Sequence, residues 1–278
     1  MTSIRNTLAA LQRGGLERLD AQMLLLLALP RDPHDRAWLM AHDGDALPVD
    51  AATRLDALVQ RRQRGEPMAY LRGDQAFFGL SLTVDPRVLV PRPDTETLVS
   101  WALERLDAAN SAVRVLDLGT GSGAIALAIA AQRPLAAVSA TDASEDALVV
   151  ARGNARRLGL PVKFHAGSWL DAVPGQSFDV IVTNPPYIAE GDPHLAALTH
   201  EPLSALTAGA DGLDDIRNIV DHAPEALLPG GWLLIEHGFD QSAAVRSLLQ
   251  AAGFAHVSSR TDLAAIERCS GGQWPQQR

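Results

Sequence analysis

The fold of this 278-residue chain is decided by one stretch, Val113-Arg114-Val115-Leu116-Asp117-Leu118-Gly119-Thr120-Gly121-Ser122-Gly123. Residues 113–118 are predicted to form a buried strand, and residues 124–131, after the loop, are predicted to form a helix. A strand, a glycine-rich loop and a helix together open a doubly wound nucleotide-binding sheet. The glycines allow positive φ angles and close backbone approach, while the helix start offers free N–H groups. We therefore predict an α/β fold with a doubly wound, Rossmann-like sheet.

The acidic residues beside this loop indicate which kind of cofactor it binds. Asp117 lies in the first strand, and Asp142 ends the next apolar strand, at residues 136–141. A carboxylate at that second position can accept hydrogen bonds from both hydroxyls of a ribose. Two carboxylates disfavour a pyrophosphate and suit a cationic nucleoside without phosphates, such as S-adenosylmethionine. The predicted cofactor-binding residues of the loop and the two strand ends are Asp117, Gly119, Thr120, Gly121, Ser122, Gly123 and Asp142.

Two residues near this loop have more than one interpretation. Asp142 could instead cap the helix predicted for residues 144–158, and both roles can hold at once. Trp169 follows another predicted strand end, where it could cover an adenine face or fill the layer between sheet and helix. We include Trp169 among the predicted cofactor-binding residues.

A second signal is the segment Phe178-Asp179-Val180-Ile181-Val182-Thr183-Asn184-Pro185-Pro186-Tyr187. Residues 180–182 are predicted to form a strand buried on both faces, which ends just before two consecutive prolines. Neither proline has a backbone N–H, and each pushes the residue before it into an extended conformation. The backbone carbonyls of Asn184 and Pro185 are therefore left available, and Asn184 adds a side-chain carbonyl.

This corner is predicted to bind a planar group that carries an NH₂. Its acceptors lie beside the flat ring of Tyr187, so the predicted catalytic residues are Asn184, Pro185, Pro186 and Tyr187. Because the corner ends a strand of the same sheet, Asn184 is also counted among the cofactor-binding residues. The alternative interpretation is a Pro-Pro turn with a buried tyrosine.

The remaining segments are predicted from their periodicity and turn residues. Apolar residues at helical spacing predict helices up to about residue 70. Two apolar runs, residues 78–84 and 88–90, predict a β-hairpin around Asp85-Pro86-Arg87. The segment Pro91-Arg92-Pro93-Asp94-Thr95-Glu96 predicts a helix start, with Asp94 as its cap. Residues 188–212 are loop-rich and predict a lid over the substrate.

Composition restricts the class of protein and its partners. The formal net charge of −9 disfavours direct binding of nucleic acid, because such proteins usually carry an excess of lysine and arginine. The single Cys269 cannot form an intrachain disulfide, which is typical of a reducing cytosol. We find no secretory signal, and the apolar run at residues 24–29 is too short to span a bilayer. We predict a cytoplasmic protein with no membrane partner and no bound metal.

With these motifs the chain resembles the release factor glutamine methyltransferases of the HemK/PrmC type, which are class I S-adenosylmethionine-dependent enzymes. The resemblance rests on the helix start, the glycine loop and Asn184-Pro185-Pro186-Tyr187, with support from Gly65-Glu66-Pro67, Glu201-Pro202-Leu203 and Glu236-His237-Gly238. It implies a helical, substrate-docking all-α domain at residues 1–72. A β-hairpin linker would follow at residues 73–92, and the methyltransferase domain at residues 93–278.

The resemblance also implies an activity. Family members methylate the side-chain amide nitrogen of the glutamine in the Gly-Gly-Gln motif of class I peptide chain release factors, with S-adenosylhomocysteine as product. The Asn184 side-chain oxygen and the Pro185 carbonyl would each accept one N–H of that amide, and Tyr187 would stack on its plane. We expect a monomer. The chain carries Gly271-Gly272-Gln273 itself, which we attribute to coincidence rather than to self-modification.

Three other functions remain open from the sequence. A glutamine methyltransferase acting on a ribosomal protein would share the glycine loop and the Asn-Pro-Pro-Tyr motif, although the match at residues 65–96 favours a release factor. An adenine amino-methyltransferase would use the same acceptors on a flipped base, but the net charge of −9 argues against it. A non-catalytic docking module that binds the cofactor would be indicated by a damaged glycine loop, and this loop is intact.

Overall fold

The structure is a computed structural model that describes residues 2–107 and 113–276. The chain divides into two compact units, Met1–Gly73 and Asp74–Arg278. Each unit buries apolar side chains of its own, with one cluster in the first unit and two in the second. Each unit therefore has an independent hydrophobic core.

The first unit is helical, as the spacing of its leucines predicts. Leu24, Leu25 and Leu26 are fully buried, and Ile4 and Leu55 pack into the same cluster. The apolar face of the second helix therefore forms the centre of this unit. Its helices are α1 (Ile4–Arg13), α2 (Arg18–Ala28), α3 (Arg36–Ala41), α4 (Val49–Gln63) and α5 (Met68–Arg72).

The second unit begins with a β-hairpin, but its strands differ from those predicted. Strands β1 (Asp74–Phe77) and β2 (Leu80–Thr83) pair antiparallel. The turn between them is formed by Phe78 and Gly79, with φ angles of 48° and 79°. Two-residue hairpin turns favour such positive φ angles, because they match the twist of the strands. The hairpin therefore lies before Asp85-Pro86-Arg87, not around it.

The predicted second strand of the hairpin, residues 88–90, is wrong. The backbone N–H groups of this segment bind elsewhere: Val88 donates to the Asp85 carbonyl, and Val90 donates to the Glu201 carboxylate. An N–H group that binds a side chain 111 residues away cannot also join a strand ladder. The segment runs along the cavity described below.

A seven-stranded sheet forms the centre of the second unit. Its strands are β3 (Arg114–Leu118), β4 (Ala137–Asp142), β5 (Val162–Ala166), β6 (Phe178–Thr183), β7 (Leu227–Glu236), β8 (Ala255–Thr261) and β9 (Glu267–Gln273). The order across the sheet is β5-β4-β3-β6-β7-β9-β8. Strands β3 to β7 are parallel, and β9 is antiparallel to both of its neighbours.

Helices cover both faces of this sheet. They are α6 (Glu96–Asp107), α7 (Ala124–Gln132), α8 (Glu145–Leu158), α9 (Asp214–Ala226) and α10 (Ser242–Ala251). One apolar cluster includes Leu98, Trp101, Ile125 and Ile129, from α6 and α7. The other cluster includes Ile216, Val220, Val245 and Leu249, from α9 and α10. The predicted doubly wound α/β fold is thus confirmed.

The strand order fixes where a ligand can bind. Strand β3 has β4 on one side and β6 on the other, so connections leave its carboxyl end in opposite directions. In such sheets a crevice opens at the carboxyl ends of the strands, at this switch in strand order. Asp142 is the last residue of β4, and Asn184 directly follows β6. Both predicted site residues therefore lie at the same edge of the sheet.

The tail motif Gly271-Gly272-Gln273 lies inside this sheet, in β9 between β7 and β8. A Cβ atom on Gly271 would lie 2.6 Å from Leu234 Cδ2 and 2.7 Å from the Leu233 carbonyl oxygen. Glycine is therefore required there by the close approach of the neighbouring strand. The Gln273 amide donates to the Gly230 carbonyl at 2.8 Å. These contacts give the motif a packing role.

Candidate active site

A cavity of about 350 Å³ opens at the carboxyl ends of the central strands. It is bounded by the glycine loop, by the end of β4, by the Asn-Pro-Pro corner and by the segment before α6. Predicted site residues in its wall are Gly119, Thr120, Gly121, Ser122, Asp142, Trp169, Asn184 and Pro186. The structure therefore brings most of the cofactor-binding prediction together around one space.

The glycine loop is held open towards this cavity by Asp142. Its Oδ2 accepts a hydrogen bond from the Gly121 N–H at 2.8 Å, and its Oδ1 accepts one from the Ser144 N–H at 2.9 Å. Gly121 has φ +55°, and no heavy atom lies within 4 Å of the position that a Cβ would take. A ligand can therefore approach this backbone closely.

Asp142 supports α8 without being its cap. Ser144 is the N-cap residue of that helix, and its side chain accepts from the Ala147 N–H. Burial raises the pKa of Asp142, while its two backbone hydrogen bonds act in the opposite direction. Each carboxylate oxygen keeps a second lone pair, so Asp142 can still accept hydrogen bonds from two hydroxyl groups.

Asp117 does not line the cavity, contrary to its prediction as a cofactor-binding residue. It is fully buried, and its Oδ2 accepts from the Thr120 hydroxyl at 2.6 Å and from the Ala126 N–H at 3.1 Å. Burial raises the pKa of Asp117 to about 7. The side chain therefore contacts the loop on the side away from the cavity, where it connects the loop to the first turn of α7.

The last residues of the loop, Ser122 and Gly123, are also contacted on the side away from the cavity. Gly123 precedes α7 with φ +86°, and a Cβ there would lie 2.9 Å from Leu127 Cδ1. Glycine is favoured at this position by the positive φ, and Gly123 does not line the cavity, contrary to its prediction as a cofactor-binding residue. Asn154, which the sequence patterns did not single out, donates to the Ser122 carbonyl at 2.9 Å. Its amide also exchanges two hydrogen bonds with the Thr83 backbone, so it connects the loop to the hairpin.

Trp169 forms one wall of the cavity. Its ring carbon Cζ3 would lie 3.1 Å from a Cβ on Gly119, so the indole packs directly on the loop. Burial raises the pKa of Asp215, another residue of the cavity wall, and the interaction of its carboxylate with the Trp169 indole opposes this effect. The two predicted alternatives for Trp169 are therefore compatible, since its ring packs against sheet-side apolar residues and also borders the cavity.

The Asn-Pro-Pro-Tyr corner separates this cavity from a smaller one. The smaller cavity, about 80 Å³, is lined by Leu89, Arg92, Asn184, Tyr187, Ile188, Leu198, Ala205 and Leu206. Asn184 lines both cavities, Pro186 lines the larger and Tyr187 lines the smaller. Pro185 is buried and lines neither. The amide of Asn184 therefore lies where the two spaces meet.

Tyr187 is fixed through its backbone. Its N–H donates to the Leu206 carbonyl at 3.2 Å, and its carbonyl accepts from Gln241 Nε2 at 3.0 Å. A Cβ on Gly212 would lie 2.2 Å from the Tyr187 carbonyl oxygen, so glycine is required there. Burial raises the pKa of the Tyr187 hydroxyl well above its ordinary value. The ring therefore stays neutral and is available for packing.

Comparison with known proteins identifies the family of the chain. Residues 3–73 match the family described as PrmC N-terminal domain, and residues 95–210 match the Methyltransferase small domain. The chain is 52% identical over 263 residues to a Xylella fastidiosa (strain Temecula1) protein named release factor glutamine methyltransferase, with 94% of each chain covered. A Bordetella pertussis protein of the same name is 51% identical, with 98% of this chain and 99% of the relative covered. The chain belongs to the release factor glutamine methyltransferase family.

Solved structures agree with the fold of this family member. A methyltransferase from Pyrococcus furiosus superposes with a TM-score of 0.55 at 21% identity, covering 78% of this chain and all of that one. A T. thermophilus 16S rRNA methyltransferase in complex with AdoMet and guanosine also has a TM-score of 0.55 at 21% identity. That match covers 72% of this chain and 49% of the rRNA enzyme. At this identity the likeness shows the class I methyltransferase fold alone.

In this release factor glutamine methyltransferase family member, Thr95 and Glu236 lie next to Asn184, although the sequence patterns predicted no role for either residue. Thr95 Oγ1 accepts from Asn184 Nδ2 at 3.4 Å, and Thr95 interacts with the carboxylate of Glu236, where it opposes the effect of burial on the pKa. Glu236 is the last residue of β7, just as Asp142 is of β4. A carboxylate at the end of a central strand is the sequence signal that could have marked Glu236.

His237 is occupied and does not face the cavity. It is fully buried, its Nε2 is 2.8 Å from Ser270 Oγ, and its Nδ1 is 2.9 Å from the Gly238 carbonyl. Burial lowers its pKa. Within residues 2–107 and 113–276, no group of three or more His, Cys, Asp or Glu side chains is placed to hold a metal ion. No helix in the same ranges is long and apolar enough to cross a membrane.

Proposed function

We propose that this protein transfers a methyl group from S-adenosylmethionine to the side-chain amide nitrogen of a glutamine, the one in the Gly-Gly-Gln motif of class I peptide chain release factors. The observation that carries the proposal is the position of Asn184 between a cavity large enough for a nucleoside and a smaller one. The names of relatives that are about half identical over nearly the whole chain support the substrate.

The residues of the larger cavity fit S-adenosylmethionine. Asp142 offers carboxylate lone pairs to the ribose hydroxyls, and the open backbone at Gly121 leaves room for the methionine moiety. Trp169 offers an aromatic wall for the adenine. Among the described residues that line this wall the only arginine is Arg87, and it is paired with Asp85 through a 2.6 Å contact. Its charge is thus largely compensated, which suits a cationic ligand better than a pyrophosphate.

The smaller cavity is where the glutamine side chain would bind. Asn184 Oδ1 accepts one amide hydrogen, and the Tyr187 ring packs on the amide plane. Pro185 lines neither cavity, so its carbonyl accepts the second hydrogen only once substrate binding has exposed it. These contacts fix the plane of the amide. The nitrogen lone pair is perpendicular to that plane, and because Tyr187 covers one face of the amide, the other face is presented to the methyl group. The cofactor supplies an electrophilic methyl on a sulfonium. With the cofactor bound, the new C–N bond would form as the C–S bond breaks, and the bonding electrons would remain on sulfur in S-adenosylhomocysteine.

The corner also supplies electrostatic stabilisation. An amide nitrogen is a weak nucleophile, because its lone pair is delocalised into the carbonyl, and it becomes positively charged as the bond forms. The Asn184 oxygen is oriented in advance towards its hydrogens, and both acceptor oxygens stabilise this charge. The methylated nitrogen is strongly acidic and releases its proton to water. No histidine is required as a base, in agreement with the occupied ring of His237.

Further assignments belong to the same proposal. The helical residues 1–72 serve as the substrate-docking domain, residues 73–92 as a linker that begins with the hairpin of β1 and β2, and residues 93–278 as the catalytic domain. The protein acts as a monomer, without a metal and without direct binding of nucleic acid. Release factors work in the cytoplasm, so we place the protein there.

The test uses purified protein, S-adenosylmethionine with a labelled methyl group, and a class I release factor. We expect label on the release factor, and none when the glutamine of its Gly-Gly-Gln motif is changed to alanine. A ribosomal protein fraction and an adenine-containing oligonucleotide serve as competing acceptors. Label on either of these, with none on the release factor, contradicts the proposal.

A further inference from the structure

A line of three polar side chains lies behind the acceptor corner. Asn184 Nδ2 donates to Thr95 Oγ1 over 3.4 Å, and Thr95 interacts with the buried Glu236 carboxylate, which opposes the effect of burial on the pKa of that carboxyl. Thr95 is 4% exposed and Glu236 is 1% exposed. The line thus runs from the edge of both cavities into the interior of the sheet unit.

The fold brings these three residues together from distant parts of the chain. Asn184 follows β6 and Glu236 ends β7, and these strands are parallel neighbours, with Thr183 paired to Ile235. Thr95 belongs to the short helical turn Pro93–Thr95 that begins α6. The motif that the sequence showed only as a helix start therefore places a hydroxyl between two strand ends.

The order of donors and acceptors along this line is determined by chemistry. An ionised Glu236 can only accept, so in that state Thr95 donates its single hydroxyl proton to it. The oxygen of Thr95 then has only lone pairs for its other neighbour, which must be the NH₂ end of Asn184. The carbonyl end of the Asn184 amide is therefore turned away from Thr95.

We propose that Thr95 and Glu236 are positioning residues, which fix the Asn184 amide so that its Oδ1 is presented to the substrate amide. This inference rests on the proposed function, in which that oxygen accepts a hydrogen of the glutamine side chain. Without the line, the Asn184 amide can rotate by half a turn and present its NH₂ group instead. Two donors would then face each other, and the corner would lose one of its two acceptors.

The charge state of Glu236 controls the direction of the line. The groups near it are Arg92 and Asp94 at the start of α6, Tyr187 after β6, and Arg268 and Cys269 on β9. Burial raises the pKa of Glu236 to about 7, and Asp94 acts in the same direction, while Arg268 and Arg92 oppose it. A protonated Glu236 can donate to Thr95, which frees the threonine proton to bind the carbonyl end of Asn184. Acidification should therefore lower turnover.

The first test compares Thr95→Val with Thr95→Ser, using release factor as substrate. Valine keeps the shape of threonine without the hydroxyl, so we expect kcat to fall at least about tenfold while the Kd for S-adenosylmethionine stays unchanged. Serine keeps the hydroxyl and should restore most of kcat. Ser100→Ala, which removes an exposed hydroxyl of α6, is the matched control and should leave kcat unchanged.

The outcomes separate this inference from the proposed function. If wild-type protein does not methylate release factor, the function fails, and the inference fails with it. If wild-type protein is active and Thr95→Val retains its kcat, only the positioning role is overturned. Equal losses for Thr95→Val and Thr95→Ser would overturn it too, because the hydroxyl would then be irrelevant.

A second variant decides the matter if Thr95→Val does not fold. Glu236→Gln cannot be titrated, so its kcat should lack the decline that wild-type protein shows as pH falls below about 7. S-adenosylmethionine binding, measured at each pH, shows that both proteins remain folded. The same decline in both proteins would contradict a role for Glu236 in directing the line.

Discussion

Arg92 Nη2 lies 2.5 Å from Oε1 of Glu201, and the other oxygen of that carboxylate accepts the Val90 N–H at 3.0 Å. One carboxylate thus holds the loop after β6 against the segment that precedes α6. Arg92 lines the smaller cavity, and Pro202, Ser204 and Ala205 from the same loop line the larger one. Both cavities therefore depend on this contact for their walls.

Replacing Glu201 by glutamine should loosen these walls. The side chain of Glu201 is 2% exposed and that of Arg92 is 37% exposed, so glutamine leaves a partly solvated Arg92 without its charged partner. We expect the free energy of unfolding to fall by about 1–3 kcal/mol and the KM for release factor to rise. Urea unfolding and steady-state kinetics measure the two effects.

The matched control is Glu104→Gln, which removes a surface pair with Arg260 in which both side chains are about half exposed. Such pairs contribute about 0–1 kcal/mol. If Glu201→Gln lowers the free energy of unfolding by no more than this control does, the Arg92–Glu201 contact does not hold the loop after β6 in place.

Asn184→Ala should abolish turnover with little effect on the cofactor. The change removes one of two proposed acceptors and leaves Gly121 and Asp142 in place. We expect kcat to fall by about 10²–10³ while the Kd for S-adenosylmethionine changes little. Asn218→Ala, an exposed position on α9, is the control. Methylation at a near wild-type rate would show that Asn184 does not hold the substrate amide.

Asp142→Ala should weaken cofactor binding. Asp142 is proposed to hold the ribose, and it also holds the Gly121 N–H, so its removal acts on the ligand and on the loop. Loss of one charged hydrogen bond predicts a rise in Kd of about ten- to a hundredfold. Calorimetry measures this value, with Asp221→Ala on the exposed face of α9 as control. An unchanged Kd would exclude the proposed ribose contact.

Asp117 should make the protein less stable as pH rises. Burial raises its pKa from 3.8 to about 7, so between these values the native state keeps a proton that the unfolded state has lost. Where the native state binds more protons, the free energy of unfolding decreases with increasing pH. The contribution is thus fully present below about pH 4 and is lost as pH rises through about 7.

Asp117→Asn removes this titration. Relative to wild type, the variant should gain stability steadily as pH rises from about 4 to about 7. Denaturant titrations across that interval measure the difference. A constant difference would mean that Asp117 is already ionised in the folded protein throughout this range.

Gly271→Ala should destabilise the sheet, because its Cβ would lie 2.7 Å from a backbone oxygen that cannot easily move. We expect a loss of about 1–3 kcal/mol in thermal or urea unfolding. Gly153→Ala is the matched control, and it is expected to raise the free energy of unfolding rather than lower it. Gly153 lies within α8, and no heavy atom is within 4 Å of its Cβ position, so alanine there should add about 0.5–1 kcal/mol.

Local patterns in the sequence predicted the elements that depend on neighbouring residues. The strand, the glycine loop and the helix after it are all present, as is the buried strand before Asn184. Asp142 and Trp169 were predicted from strand ends, and both reach the cavity because parallel strands end at one edge.

The sequence-based predictions are wrong where the position of a residue depends on a contact with a distant part of the chain. Asp117 was assigned to the cavity, but its carboxylate faces the first turn of α7, and sequence alone does not show which side of a strand end a helix covers. The hairpin was misplaced because the Val90 N–H binds Glu201, far along the chain. Thr95 could not be recognised as a partner of Asn184, because 89 residues separate them.

The buried amide of Asn154 binds the backbone of Thr83 in the hairpin and the carbonyl of Ser122 in the glycine loop. A single side chain on α8 therefore couples the position of the hairpin to the position of the glycine loop. A foreign hairpin grafted onto this protein must keep the distance between its backbone and Asn154 on α8. Otherwise the glycine loop will shift, and the affinity for the methyl donor will change without any substitution in the cavity.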